Sequence, residues 1–365
     1  MPFNFRFTIA RISSAFRPDR DSQVPIVPIA LPDHDTPASA LAALESSWKA
    51  GRNTPFGVTS IFDQVFDGRT TGPLDLWQPK PGLNIQFKHP DGVAFGLLGN
   101  NDDNAVGTNA NDYLYGGAGK DFIHGNGGKD FITGDFGDDR LFGGAGDDFI
   151  WGGQGRDKLY GGSGDDWLFG GADNGDAMYG GSGNDTASFS DITSLGLIVA
   201  DLNTSRAIVK HQGIDKIQYL NGIENLFGSM SNDALTGNDG DNVLTAGGGS
   251  GIDQLFGRGG NDKLVLDGTS GSADGGAGDD IIDLRGISSG GNVVRGGEGF
   301  DQLLLFGTEA DWKIEATGDT VSSDDGETSY DVYQLSLYVG TQPIELIKMN
   351  SIERVQFADG SYLDF

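Results

Sequence analysis

The chain has 365 residues, enough for one large domain or two to three ordinary ones, and its 61 glycines are more than twice the usual share. A formal net charge of -29 at pH 7 excludes nucleic acid, whose phosphates need a basic surface, and argues against an anionic membrane surface. The absence of cysteine excludes disulfides and thiolate metal sites, while 37% hydrophobic and 10% aromatic content are too high for simple disorder.

Proline draws the first boundary, because every proline except Pro343 lies at or before Pro90. Residues 1–95 therefore form one compositional unit. Its start carries Arg6 and Arg11 and no uninterrupted apolar run, so no ordinary signal peptide is expected, and no run in the chain is long enough to span a bilayer. One short helix is predicted: Thr36 caps it, Pro37 suits its first position and Gly51 follows its end. Leu41, Leu44 and Trp48 then share one apolar face that docks on the rest of the protein. Residues 52–95 read as short strands and proline-rich turns.

Residues 96–190 hold a nine-residue repeat. Asp103, Asp112, Asp121, Asp130, Asp139, Asp148, Asp157 and Asp166 recur at that interval. Glycine precedes the aspartate by five at Gly116, Gly125, Gly134, Gly143, Gly152 and Gly161, and by two at Gly119, Gly128, Gly137, Gly146, Gly155 and Gly164. An aliphatic residue follows by two at Leu114, Ile123, Ile132, Leu141, Ile150, Leu159 and Leu168. One extra residue slips the frame near Asp176, and the register resumes at Asp185. Residues 191–226 interrupt the array with strand-like GLIVADLN and RAIVKHQG, ending at GIENLFGS. A weaker block over 227–305 carries Asp233, Asn242, Asp253, Asp262, Asp280 and Asp301 near the aspartate position, with no acid midway between 262 and 280. Residues 306–365 lose the glycine, and YQLSLYV and RVQFADG predict a strand-built cap.

The repeats can be read physically. Six residues of each unit, such as Gly143–Asp148, carry glycines that permit a tight turn, and the next three form a short strand with the middle side chain inward. Two units complete a coil, which predicts an all-β parallel solenoid. Asp121, Asp139 and Asp157 stack on one edge, and Asp112, Asp130, Asp148 and Asp166 on the other. At a strand spacing of about 4.8 Å and an effective dielectric near 20, two neighbouring carboxylates repel by about 3.5 kcal/mol. Summed over both edges, that rivals the roughly 5–15 kcal/mol by which whole domains are stable. A divalent cation between the acids reverses the sign. Carboxylate and carbonyl oxygens suit Ca²⁺, with Mg²⁺ ranked second for its strict octahedron and retained water. The candidate ligands are Asp112, Asp121, Asp130, Asp139, Asp148, Asp157, Asp166, Asp176, Asp185, Asp233, Asp253, Asp262, Asp280 and Asp301. The repeat glycines named above, from Gly116 to Gly164, are expected to add their carbonyls. Asp138, Asp147 and Asp165, just before the repeated acids, read as solvated.

GGAGDDFIW and GGSGDDWLF resemble the consensus of RTX (hemolysin-type calcium-binding repeat) proteins, secreted bacterial β-roll proteins. The resemblance covers roughly 97–365, including IENLFGS and IERVQFADG, and is most specific over 112–185. It implies several bound Ca²⁺ ions, export by type I machinery with a C-terminal signal, and folding outside the cell, where metal binding becomes folding free energy.

The outward positions form two aromatic faces, one with Phe122, His124, Phe142 and Tyr160, the other with Tyr113, Tyr115, Phe131, Phe149, Trp151, Trp167 and Phe169. Cover by residues 1–95 is expected for the latter, with a glycan or protein partner as the alternative. No catalytic head is legible. H-E-x-x-H is absent, His34, His89, His124 and His211 are scattered, and the one G-x-S-x-G match, Gly286–Gly290, lies in the second glycine-rich block. Asp63, Asp67 and Asp75 read as isolated loop acids. The expectation is a non-enzymatic structural, adhesive or surface protein. The alternatives are an accessory module of an extracellular epimerase, lyase, protease or lipase, or a glycan-binding module.

Overall fold

The computed structural model describes residues 85–88, 94–98 and 101–365, apart from 172–174, 193–196, 212–213, 250, 269, 288–290, 323–328 and 340–341. The expected helix at Thr36–Gly51, the docking of residues 1–84, Asp63, Asp67, Asp75, His34, His89 and Ser288 lie outside the described residues.

The fold is a parallel β-solenoid of two long sheets. Successive repeat units alternate between them. Among the described residues, sheet I has 14 strands and sheet II has 15. Tyr113–Ala118, Phe131–Phe136, Phe149–Gln154 and Trp167–Phe169 lie in sheet I, and Phe122–Gly127, Arg140–Ala145, Lys158–Ser163 and Ala177–Ser182 in sheet II. Each strand pairs in parallel with the unit two places on, as in Ile132↔Ile150 and Leu141↔Leu159. The middle residues Leu114, Ile123, Ile132, Leu141, Ile150, Leu159 and Leu168 fill the space between the sheets and are all buried. Each full burial contributes roughly 1.5–3 kcal/mol. The turns stack closely: Gly137 has φ +131, and a Cβ there would run into the Gly119 carbonyl of the preceding coil.

Residues 191–226 do not break the solenoid. Leu197–Asp201, Arg206–His211 and Ile214–Asn221 form an antiparallel meander inside sheet II, bridging Ala177–Ser182 to Asp233–Thr236. Sheet I passes directly from Thr186–Ser188 to Asn225–Phe227. The alternating pattern of this segment specifies strands, but the two coils that flank it decide where they pair. At the far end, Trp312–Ser322, Ser329–Val339 and Gln342–Asn350 form a second antiparallel meander on sheet II, while Arg354–Phe357 and Tyr362–Asp364 close sheet I.

Candidate metal centre: a lattice of buried carboxylates

The strand after each repeated aspartate fixes that aspartate's position, so the acids line up along both turn edges. One carboxylate oxygen of each accepts the backbone N–H of the acid one coil earlier. On the sheet II edge, Asp103 N–H donates to Asp121 Oδ1 (2.9 Å), Asp121 to Asp139 (2.8 Å), Asp139 to Asp157 (2.8 Å) and Asp157 to Asp176 (3.0 Å). On the sheet I edge the series is Asp112 to Asp130 (2.7 Å), Asp130 to Asp148 (2.8 Å), Asp148 to Asp166 (2.8 Å) and Asp166 to Asp185 (2.9 Å). All of these acids are buried.

The second oxygen behaves differently. Oδ2 of Asp121, Asp130, Asp139, Asp148, Asp166, Asp185, Asp262, Asp280 and Asp301 is buried and has no hydrogen-bond partner among the described residues. A buried polar atom left unpaired costs free energy, and a charged one more. Each of these oxygens lies beside the glycine that precedes its aspartate in the turn and beside a carbonyl of the next coil. At Gly116, Gly125, Gly134 and Gly143, the point where a Cβ would sit is crowded by Oδ2 of Asp121, Asp130, Asp139 and Asp148 and, at 2.6–2.7 Å, by the carbonyls of Gly134, Gly143, Gly152 and Gly161. Only glycine leaves this pocket open. The carbonyls of Gly119, Gly128, Gly137 and Gly146 lie instead where a Cβ on Gly137, Gly146, Gly155 and Gly164 would sit.

Burial pushes the carboxyls of Asp130, Asp148 and Asp166 from 3.8 up to about 8, despite the backbone N–H that each accepts, and neighbouring acids add to the rise. Asp121, Asp262 and Asp301 rise to about 7, and Asp139, Asp185 and Asp280 to about 6, with burial again the leading cause. The donor set is hard oxygen only, which fits Ca²⁺. Among the described residues no three acidic or histidine side chains gather at one point, so carbonyls must complete any coordination.

Three expected ligands differ. Asp112 Oδ2 accepts the N–H of Thr108, and Asp233 Oδ2 that of Ser229. Asp176 Oδ2 accepts from Gln218 Nε2 (3.1 Å), whose amide also donates to the Gly171 carbonyl (2.6 Å). The buried Gln218 amide thus bridges a carboxylate and a glycine carbonyl. Spacing alone puts all three acids in the ligand set, whereas the geometry gives their second oxygens donors within the chain. The signal for two of them is visible in part: Thr108 and Ser229 stand where most other units have a second glycine and where Asn126, Asp135 and Arg258 adopt positive φ. Gln218, 42 residues from Asp176, gives no such signal.

The second block uses one edge. On sheet II, Asp253 accepts from Asp233 N–H (2.9 Å), but its next partner in register is Gly271. On sheet I the line continues from Asn242 to Asp262 (2.8 Å), Asp280 (2.8 Å) and Asp301 (2.9 Å). The missing acid between 262 and 280 is Gly271, on the other sheet. Asp138, Asp147 and Asp165 sit outside the buried line and accept backbone N–H groups from Arg156 (3.1 Å), Asp165 (3.1 Å) and Asn184 (2.9 Å). They are solvent-accessible, as expected, and form an outer ladder beside the buried one. Lys120 and Lys129 neutralise Asp138 and Asp147 at 2.7 Å each.

A family model described as RTX calcium-binding nonapeptide repeat (4 copies) matches residues 98–132, 124–159, 133–168, 142–176, 151–187, 220–250 and 248–271. The chain carries RTX calcium-binding repeats. No curated protein matches it. The buried carboxylates of these RTX turns extend beyond the matched segments, to Asp280 and Asp301.

The aromatic faces also take shape. On sheet II, Phe142, Tyr160 and Tyr179 stack at 4.5 and 4.7 Å with planes within 6° of parallel. The faces they turn to one another are closed to a sugar. His124 stacks on Phe142, and its Nδ1 accepts the Asn126 N–H. On sheet I, Tyr113, Phe149 and Phe169 are buried, and Trp151 Nε1 donates to Asp191 Oδ2 (2.9 Å) in the segment after Thr186–Ser188.

Proposed function

We propose that this chain is a secreted, non-enzymatic calcium-binding protein whose solenoid folds when the ion is met outside the cell, and which then serves a structural, adhesive or surface role. The observation that carries this reading is the line of buried Oδ2 atoms lacking a hydrogen-bond partner, each set beside a backbone carbonyl of the next coil. Asp121, Asp130, Asp139, Asp148, Asp166, Asp262 and Asp280 are its ligands, with those adjoining carbonyls. Bound calcium supplies the positive charge and the hard-acid coordination that these oxygens lack. Without it the ionised acids must be buried unpaired, so the chain stays open in a low-calcium cytosol and passes through type I export machinery in that form. Among the described residues, no helix is long and apolar enough to cross a membrane.

Calcium titration of the full chain, followed by circular dichroism and calorimetry, tests the metal-linked fold. The expected result is a coil-like chain in chelator, a cooperative gain of β signal with calcium, and a much weaker response to magnesium. Full β structure in chelator at neutral pH would overturn it. An activity screen on polysaccharides, esters and peptides in calcium tests the non-enzymatic part, and turnover of any of them would refute that part.

A further inference from the structure

Two of the buried carboxylates stand where an ordinary repeat does not follow. Within the first block, each acid meets its partner 18 or 19 residues on. Asp185 meets Glu224, 39 residues on, and Asp301 meets Glu353, 52 residues on. In both cases the glutamate holds the lattice position, since Thr186 pairs with Asn225 and Gln302 with Arg354. The Asp185 N–H donates to Glu224 Oε2 (2.9 Å), and the Asp301 N–H to Glu353 Oε2 (2.7 Å).

The turns leading to these glutamates are built unlike the nonapeptide turn. The carbonyl beside Asp185 Oδ2 belongs to Gly222, and the one beside Asp301 Oδ2 to Ser351. Each lies two residues before its glutamate, where an ordinary unit places the carbonyl glycine five before its aspartate. Gly222 and Ser351 both adopt left-handed backbone, with φ of 57° and 46°, a conformation a serine accepts only at some cost. Two backbone routes therefore converge on one oxygen pair, a buried aspartate Oδ2 and a carbonyl of the next coil. Asp185 and Asp301 are 0% exposed, and neither Oδ2 has a hydrogen-bond partner among the described residues.

We propose that Asp185 Oδ2 with the Gly222 carbonyl, and Asp301 Oδ2 with the Ser351 carbonyl, each hold a calcium ion that fastens an inserted meander into the solenoid. This rests on the calcium reading of the repeats. Glu224 and Glu353 are positioning residues, which lock the re-entering strand in register through the aspartate N–H and add negative charge beside the ion. The first site joins the two repeat blocks. The second, outside the matched repeats, ties the C-terminal strands to the second block. Closing such long loops costs only slightly more than closing a single coil, so one ion suffices at each.

Native mass spectrometry of the full calcium-loaded chain counts the ions. Asp185→Asn and Asp301→Asn are each expected to lose one ion relative to the unchanged protein, as does Asp148→Asn in an ordinary turn. Loss at Asp148→Asn with an unchanged count in both junction variants overturns the junction sites alone. An unchanged protein that binds no calcium overturns the parent reading instead. Should a junction variant not fold, calcium anomalous scattering from crystals of the unchanged chain decides. Density at coordination distance from Asp185 Oδ2 and Asp301 Oδ2 supports the sites, and its absence there with density in the ordinary turns refutes them.

Discussion

Replacing Asp148 by Asn separates the two roles of a repeat acid, because it should act in opposite directions with and without calcium. In the folded, metal-free chain burial raises this carboxyl from 3.8 to about 8. At roughly 1.4 kcal/mol per pH unit, folding at pH 7 then costs about 4 kcal/mol at this residue alone. The neutral amide removes that cost. Its oxygen can still accept the Asp130 N–H, and its Nδ2 faces the Gly161 carbonyl beside the present Oδ2. The chain contains a precedent in Asn242, which holds a lattice position and donates through Nδ2 to the Glu224 carbonyl (2.8 Å). Asp148→Asn should therefore stabilise the metal-free fold by about 2–4 kcal/mol, allowing for an imperfectly paired amide. In calcium it forfeits a site worth about 2.7 kcal/mol at a hundred times the dissociation constant. Adding Asp130→Asn and Asp166→Asn extends the relief to on the order of 10 kcal/mol, and half of that still matches a marginal domain's stability. Urea melts in calcium and refolding by an excluded osmolyte such as TMAO in chelator, both read by circular dichroism, supply both quantities. A variant destabilised equally in both conditions would refute the charge argument and leave the acids as turn hydrogen-bonders only.

The remaining expectations use the same turns. Acid should partly replace calcium: the folded acids bind protons more tightly than unfolded ones, so metal-free stability is fullest below pH 4 and is lost as pH rises through 6–8, which a pH series of circular dichroism in chelator checks. The calcium midpoint of folding should stay flat from pH 8 to 6, because the unfolded acids, with an ordinary value of 3.8, are already ionised there and folding onto the ion releases no protons; a midpoint that shifts strongly in that range would contradict it. Gly143→Ala puts a methyl group where Asp148 Oδ2 and the Gly161 carbonyl converge, so calorimetry should show one ion fewer although every acid remains. Gln218→Ala removes the amide that bridges Asp176 and Gly171, and native mass spectrometry should then count one ion more.

The parts of this fold legible in sequence are those with a short period. The nine-residue interval fixes strand, turn and edge together, so spacing alone stacks Ile132 on Ile150 and places Asp130 above Asp148. What escapes is set by partners far along the chain. Nothing in IVADLN shows that Leu197–Asp201 enters sheet II beside Asp233–Thr236. Nothing near Asp176 announces Gln218. The aspartate spacing gives each acid its place but not the state of its second oxygen, and that state depends on the residue after the carbonyl glycine. A residue of positive φ there, such as Gly144, Asn126 or Asp135, leaves the acid's Oδ2 without a backbone donor among the described residues, whereas Thr108 and Ser229 turn their N–H groups onto it.

That difference gives the array a direction. The unit at Asp112 heads the sheet I edge of the first block and the unit at Asp233 opens the second, and both Oδ2 atoms accept an N–H from within the chain. After Asp112, the units at Asp121, Asp130, Asp139, Asp148, Asp166 and Asp185 bury Oδ2 atoms with no hydrogen-bond partner among the described residues. A coil can form at each metal-independent turn first, since it carries no unpaired-charge cost, and its strand then presents the N–H groups and carbonyls on which the next acid closes. Folding should therefore start at the head of each block and advance toward Asp185 and Asp301. Hydrogen exchange at limiting calcium checks this. Protection should appear around Leu114 and Leu235 at lower calcium than around Leu168 and Leu303, and simultaneous protection of all four would show that the block folds as one step with no preferred end.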